Sequence, residues 1–364
     1  MVRVKERDSH MKLFERKIRP DFEGLRKCIF REKTPERVYF MEFIQDGEIK
    51  NAVLDRFALG DKLDKSDRFY NLKMEIILQR FLGYEMIMVS EAIPQFNLDL
   101  SPGNEGLSSV VSTDPVASGP IRTWNDFENY PWPAISSVDT RSLEWLEKNL
   151  PENMKCYSAV PIGYYKNLIG FEAMCYMIYD QPDLLKAVLS KIKTIFLDYC
   201  RLLSQFSCVG VMWGADDMGF KTQTFLPPEY VKEHILPIHQ ACAEVAHQSG
   251  KLYFLHSCGN LSGIMDAIIN KVKIDGKHSF EDAIMPIEEA KILYGQSVAL
   301  IGGIDVDFLC RSDEAAIRRR VRNVIDICNP GGGYCLGSGN SIAKYVPLEN
   351  YLVMLDEGRK YGCV

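Results

Sequence analysis

Eight short runs of apolar, β-branched and aromatic residues recur along this 364-residue chain, and amphipathic stretches lie between them. No other feature constrains the fold as strongly, because adjacent parallel strands need a crossover of a dozen or more residues, usually a helix. The runs fall at 38–44, 85–90, 157–163, 210–216, 251–257, 274–280, 298–305 and 333–337. An open doubly wound sheet shares this pattern, but eight βα repeats favour a closed (β/α)8 TIM barrel, an α/β fold of ordinary length for such a chain. The barrel is expected over 37–364, behind a charged N-terminal extension at 1–36. Residues 93–138 break the rhythm: they are rich in Pro, Ser, Gly and Asn, too long for a simple βα loop, and read as a lid or cap insertion after the second strand.

Two helices are plain from spacing. Over 183–203, Leu185, Val188, Leu189, Ile192, Ile195, Phe196, Tyr199 and Leu203 form one core-facing stripe. Over 315–327, Ile317, Val321, Val324 and Ile325 face inward, and Arg318 to Arg320 are expected largely in solvent.

Composition excludes several classes. With 46% hydrophobic and 25% charged residues and a net charge of -6, the chain has no basic footprint for nucleic acid. No run reaches 18 uninterrupted apolar residues, and the first twenty residues hold no apolar signal core, so no membrane span and a cytoplasmic location are expected. Eleven cysteines in that setting read as free thiols, most of them in the core.

In a (β/α)8 barrel the working side chains sit at the carboxyl ends of the strands. The fifth run, in "KLYFLHSCGN", ends with His256 and Cys258 one residue apart, projecting to the same side of an extended chain. Alone, such a pair is more often a core histidine beside a core thiol. Cys335 in "GGGYCLGSGN", expected at the end of the last strand, adds a third soft donor, and His256, Cys258 and Cys335 together form an open three-ligand zinc set with one position left for a reactant. Asp216 and Asp217 end the fourth run in "WGADDMGF". They face opposite ways, so one is expected to serve the site, as a fourth metal ligand or by orienting substrate. Glu42, at the end of the first run, is the fallback. Tyr164, Tyr165, Met212, Trp213 and Met218 are the candidate substrate-binding residues. The glycine-rich "GGGYCLGSGN" lacks both the P-loop ending and the dinucleotide-binding spacing, so a nucleotide site is not expected.

The segments "YFLHSCGN", "DGKHSFED", "IGGID", "GGYCLGSGNSIAKYVPLENYLVMLDEGRKYG" and "ADDMGFKTQTFLPPEYVKEHILP" resemble the uroporphyrinogen decarboxylase superfamily, and within it the zinc-dependent corrinoid methyltransferase branch. The resemblance covers roughly residues 35–362 and is most specific in the C-terminal half. It implies a (β/α)8 barrel with zinc on a His-x-Cys pair and a later Cys, which fall here on His256, Cys258 and Cys335. The decarboxylases carry an Arg-rich N-terminal segment with a Gly-Arg-Tyr core that grips propionates. This chain departs from that pattern, with Arg26, Arg31 and Arg37 scattered.

The implied activity is methyl transfer involving a corrinoid (cobalamin). The favoured direction runs from a small methylated donor, best an aryl methyl ether, to the Co(I) corrinoid of a partner protein, as in O-demethylase systems. The alternatives are a methylcobalamin:thiol methyltransferase of the coenzyme M type, a decarboxylase, and a non-catalytic zinc barrel. The partner's corrinoid motif, Asp-x-His-x-x-Gly, has one near match here, "DSHMKL", with Leu13 where Gly belongs. A separate corrinoid protein docking over the barrel mouth is therefore expected. Homodimerisation is left open.

Overall fold

The computed structural model describes residues 13–98 and 119–363. Eight strands alternate with helices: β1 Tyr39–Phe40, β2 Met86–Met88, β3 Lys155–Val160, β4 Val209–Ala215, β5 Leu252–His256, β6 Gly276–His278, β7 Ala299–Ile301 and β8 Tyr334–Leu336. Each lies within or across one of the eight predicted runs. Most are shorter than their runs, because the flanking apolar residues pack in loops without ladder hydrogen bonds. The described residues form two compact units.

The first unit comprises the chain up to Ile87, Pro151–Lys155, and everything from Asp275 onward. Its strands pair in parallel: β6 with β7, β7 with β8 and β8 with β1. A parallel bridge joins Phe40 of β1 to Tyr84, just ahead of β2. Burial on both faces explains why β7 and β8 read as continuous apolar runs rather than alternating ones. The helices Glu314–Cys328 and Leu348–Tyr361 pack on each other. Asp313 caps the former, its carboxylate accepting from the Ala316 amide at 2.7 Å.

One expectation on this helix is corrected. Arg318 and Arg320 are not largely solvated: Arg318 pairs with Asp356 and Glu357 at 2.9 and 2.7 Å, and Arg320 pairs with Glu288 and Asp282. Asp356, Glu357 and Glu288 lie on other helices and Asp282 in a turn, partners that spacing within this helix cannot reveal. Of the predicted N-terminal extension, residues 1–12 lie outside the described part. Phe14 is pinned by its amide to Asp356 at 3.0 Å and by the Phe57 and Phe81 rings, with the Arg359 guanidinium 3.8 Å from its ring centre.

The second unit comprises Met88–Leu150 and Cys156–Ile274. Strands β3, β4 and β5 pair in parallel, and the Val89 amide donates to Tyr157 O at 2.9 Å, tying the end of β2 to β3. The helix Pro182–Ser204 matches the predicted one within a residue at each end, and its stripe from Leu184 to Leu203 is buried. Each of those large apolar side chains contributes about 1.5–3 kcal/mol by leaving water. Within the predicted lid, residues 99–118 lie outside the described part. The remainder holds the helix Trp124–Asn129, started by a Thr123–Asp126 capping box, and a 3-10 turn at Ile135–Ser137. Among the described residues no helix is long and apolar enough to cross a membrane.

Candidate metal centre

Strands β4 and β5 run in register, Ala215 beside His256, so both chains leave the sheet at the same level. The Asp216 amide still donates to His256 O at 3.0 Å. Beyond that bond the backbone turns, and Asp217 swings across to the segment that follows β5. Its carboxylate accepts from the Cys258 amide at 2.8 Å, and His256 Nε2 stands 3.5 Å from Asp217 Oδ1 and 3.7 Å from Cys258 Sγ. The turn after Cys258 depends on glycine. Gly259 has φ +88°, and a Cβ there would stand 2.0 Å from Gly219 O. The Met218 amide donates to Ser257 Oγ and the Asn260 amide to Phe220 O, locking the two loops together.

The result is one imidazole, one thiol and one carboxylate, their donor atoms all within 4.8 Å of one another. Around a tetrahedral ion with bonds of about 2.0–2.3 Å, donors stand about 3.3–3.8 Å apart, so the spacings to His256 Nε2 already suit zinc. His256 and Asp217 are buried, Cys258 is half-buried. Burial works against a charge on Asp217, yet His256, Lys166 and the Cys258 amide outweigh it and hold its carboxyl below the usual carboxylate range. Asp217 is thus kept anionic, as a carboxylate ligand to a metal must be.

Asp216 turns the other way, into a buried polar chain. Lys166 Nζ bonds Asp216 Oδ1 at 2.5 Å and also reaches Asp217 O, the Tyr165 hydroxyl donates to Asp216 Oδ1 at 3.3 Å, and His239 Nε2 is 3.5 Å from Oδ2. His239 Nδ1 in turn meets the Tyr253 hydroxyl at 2.9 Å. Gly214 leaves the space for this pair, since a Cβ there would fall 2.5 Å from the Tyr253 oxygen. Lys166 and His239 were missed in the sequence. The one follows the tyrosine pair directly, and the other interrupts the apolar face of the helix Leu236–Gln248, a weak signal that needs the fold to interpret.

Tyr164 and Tyr165 open the helix Tyr164–Ile169 rather than ending a strand, and Tyr164 packs against Phe96 and Phe196. Met212, Trp213 and Met218 are buried, and Trp213 is set between Tyr157 and Phe254.

Cys335 is not among the clustered donors. It is the middle residue of β8 in the first unit rather than a strand end, and is fully buried. Burial pushes its thiol well up, and the charged groups acting on it are Cys28, Glu85 and Arg37. Glu42 lies beyond the end of β1, also in the first unit, where it meets Ser338. Burial pushes its carboxyl up to about 8 against the two Ser338 hydrogen bonds.

Residues 106–361 match the family model described as Uroporphyrinogen decarboxylase (URO-D). The uroporphyrinogen decarboxylase of Cupriavidus pinatubonensis (strain JMP 134 / LMG 1197) is 25% identical over an alignment of 291 residues, covering 71% of this chain and 74% of that protein. The uroporphyrinogen decarboxylase of Azoarcus sp. (strain BH72) is 36% identical over 75 residues, so the match spans only 21% of its length and 21% of this chain. Among solved structures, a methyltransferase from Methanosarcina mazei superposes with a TM-score of 0.66 over 93% of this chain and 98% of that one. At 15% identity this likeness establishes the fold alone.

Proposed function

This chain belongs to the uroporphyrinogen decarboxylase family, and from that premise we propose that it is a zinc-dependent methyltransferase, moving a methyl group from a small methylated donor to the Co(I) corrinoid of a partner protein. The observation that carries the reading is the Asp217, His256 and Cys258 cluster, whose donor types and spacing suit zinc. Cofactor-free decarboxylation has no use for a thiol beside an imidazole at a strand end. The (β/α)8 barrel expected from the sequence is part of the proposal. The eight βα repeats and the bridge from Phe40 to Tyr84 support its closure.

Zinc held by Asp217, His256 and Cys258 would supply a Lewis acid for the oxygen or sulfur that bears or receives the methyl group. The chain's own residues do the rest. The Cys258 amide orients the Asp217 carboxylate, and Lys166 fixes the 216–217 peptide through Asp216 and Asp217 O. The candidate substrate-binding residues Tyr164, Tyr165, Met212, Trp213 and Met218 carry aromatic or thioether side chains, which suit an aryl methyl ether better than a charged donor.

Cys335 remains the sequence-derived alternative to Asp217 as the third donor. Zinc analysis of Cys335→Ala and Asp217→Asn decides between them, because only a ligand should lower occupancy.

The deciding experiment for function incubates the zinc-loaded protein with a reduced corrinoid protein and a panel of aryl methyl ethers, alcohols and thiols, with methyl-corrinoid formation read by its absorbance. Transfer from an ether or alcohol supports the proposal. Carbon dioxide release from uroporphyrinogen without any methyl transfer would replace it with the activity named for the curated relatives.

A further inference from the structure

Lys166 stands between the end of β4 and a group of half-open aromatic rings. Its Nζ donates to Asp216 Oδ1 at 2.5 Å and to the carbonyl oxygen of Asp217. An ammonium carries three hydrogens. The third meets no acceptor among the described residues, and the side chain is 15% exposed, so it is open to an acceptor from outside. The same ammonium lies 5.2 Å from the centre of the Tyr165 ring and 5.8 Å from that of Phe225.

Phe225 belongs to a trio. Its ring centre is 4.2 Å from that of Phe220 and 5.2 Å from that of Phe171, and Phe171 and Phe220 are 5.7 Å apart, all three pairs edge to face. Phe220 is 49% exposed, and the other two are half-buried. Backbone bonds tie the trio to the clustered donors within the second unit. Phe220 and Phe225 flank a turn in which the Phe220 amide donates to Gln223 O at 2.8 Å, with Gly219 bridged to Thr224. The Phe225 amide donates at 2.8 Å to the carbonyl oxygen of Met218, the residue after Asp217. The Asn260 amide, two residues past Cys258, donates to Phe220 O at 2.7 Å. Apolar surface left in water forgoes about 25 cal/mol per Å² of burial, and an exposed aromatic patch rimmed by polar groups marks a binding surface.

We propose that Lys166 and the Phe171, Phe220 and Phe225 trio form the subsite for the ring of an aryl methyl ether and of the phenol it yields. The ring lies against Phe220 and Phe225, and the ring-bound oxygen accepts the third Lys166 hydrogen. The identification of this ligand as the methyl donor rests on the methyl-transfer reading above, whereas the ring subsite itself does not. The phenylalanine faces give a ring apolar area, and the ammonium favours an oxygen that can carry negative charge, as a phenol's can. A small aliphatic alcohol has no ring to place there. The subsite therefore selects aryl over alkyl donors.

Fluorine NMR of the protein as purified tests the subsite without turnover, with 4-fluorophenol, 4-fluoroanisole and fluorobenzene as probes. The wild type should broaden their signals saturably and should hold 4-fluorophenol more tightly than fluorobenzene. Phe220→Ala, an exchange at an exposed turn, should weaken all three probes about three- to tenfold. Lys166→Met should bring 4-fluorophenol down to the level of fluorobenzene, whose retained binding shows the fold intact. No saturable broadening, or unchanged affinity in Phe220→Ala, overturns the subsite. A wild type that treats 4-fluorophenol and fluorobenzene alike overturns the Lys166 contact. In the methyl-transfer assay, Phe220→Ala should raise KM for anisole by a similar factor and leave that for methanol unchanged; equal changes for both overturn the selection. Probe binding without any methyl transfer upholds the subsite and removes only the methyl-transfer reading.

Discussion

Asp216 and Asp217 are chemically identical neighbours with different fates, and a single peptide separates them. The backbone turn after Asp216 carries one towards His256 and Cys258 and leaves the other with Lys166 and His239. Asp217→Asn is expected to lower zinc affinity at least about tenfold, measured by competition with a chromophoric chelator. Unchanged affinity would reduce Asp217 to a hydrogen-bond partner of the Cys258 amide. Glu42 makes a prediction about stability. Its folded-state value near 8 lies above the ordinary 4.5, so the unfolded chain loses this proton first as the pH rises. The contribution is complete below about 4.5 and is lost progressively up to about 8, at about 1.4 kcal/mol per pH unit. Glu85, raised by burial to about 7 despite its Arg37 partner, has the same sign. The difference between wild type and Glu42→Gln in denaturant midpoints at pH 5 and pH 8 therefore isolates Glu42, and parallel curves would contradict its raised value.

At the scale of elements, helix boundaries were legible and strand boundaries were not. The helix Pro182–Ser204 begins with Pro182 in its first turn, and Glu314–Cys328 begins behind the Asp313 cap, both local signals. Strand ends depend on where a neighbouring strand stops donating, which is not local information. The loop after β5 is a third kind of element, one whose shape rests on Gly259. Gly259→Ala should cost about 1–3 kcal/mol from the backbone conformation alone, with the approach to Gly219 adding to it. It should also weaken zinc binding, since the two loops carrying Asp217 and Cys258 can no longer nest. A thermal melt together with a zinc titration checks both, and a wild-type result in each would show that the loops are held apart from this contact. By comparison, Asp313→Ala should cost about 1 kcal/mol and leave zinc binding untouched.

For the molecule as a whole, none of the eleven cysteines is in a disulfide, as the sequence led one to expect. Cys175, Cys258, Cys310 and Cys363 are partly exposed and the other seven are buried. A thiol reagent should therefore find four accessible groups at most in the native metal-free protein, and zinc should remove one by occupying Cys258. An unchanged count on adding zinc would argue against Cys258 as a ligand. Free cobalamin should bind weakly, with methyl transfer appearing only when a corrinoid protein is added. Tight binding of the free cofactor would overturn the need for a partner.

The alternation of apolar runs and amphipathic stretches was enough to specify eight strands, their helices and the α/β class, because periods of 2 and 3.6 are properties of the local chain. The His256–Cys258 pair was legible for the same reason, both residues leaving one strand end on one side. Which of Asp216 and Asp217 stands beside that pair was not. Asp217 stands beside them because β4 and β5 stop in register and the backbone turns after Asp216, whereas Cys335 is the middle residue of β8. Where a strand ends is set by hydrogen bonds to a neighbour distant in sequence, and a shift of one residue reverses the face of every side chain. Which of the two adjacent aspartates stands beside His256 and Cys258, only the tertiary structure decided.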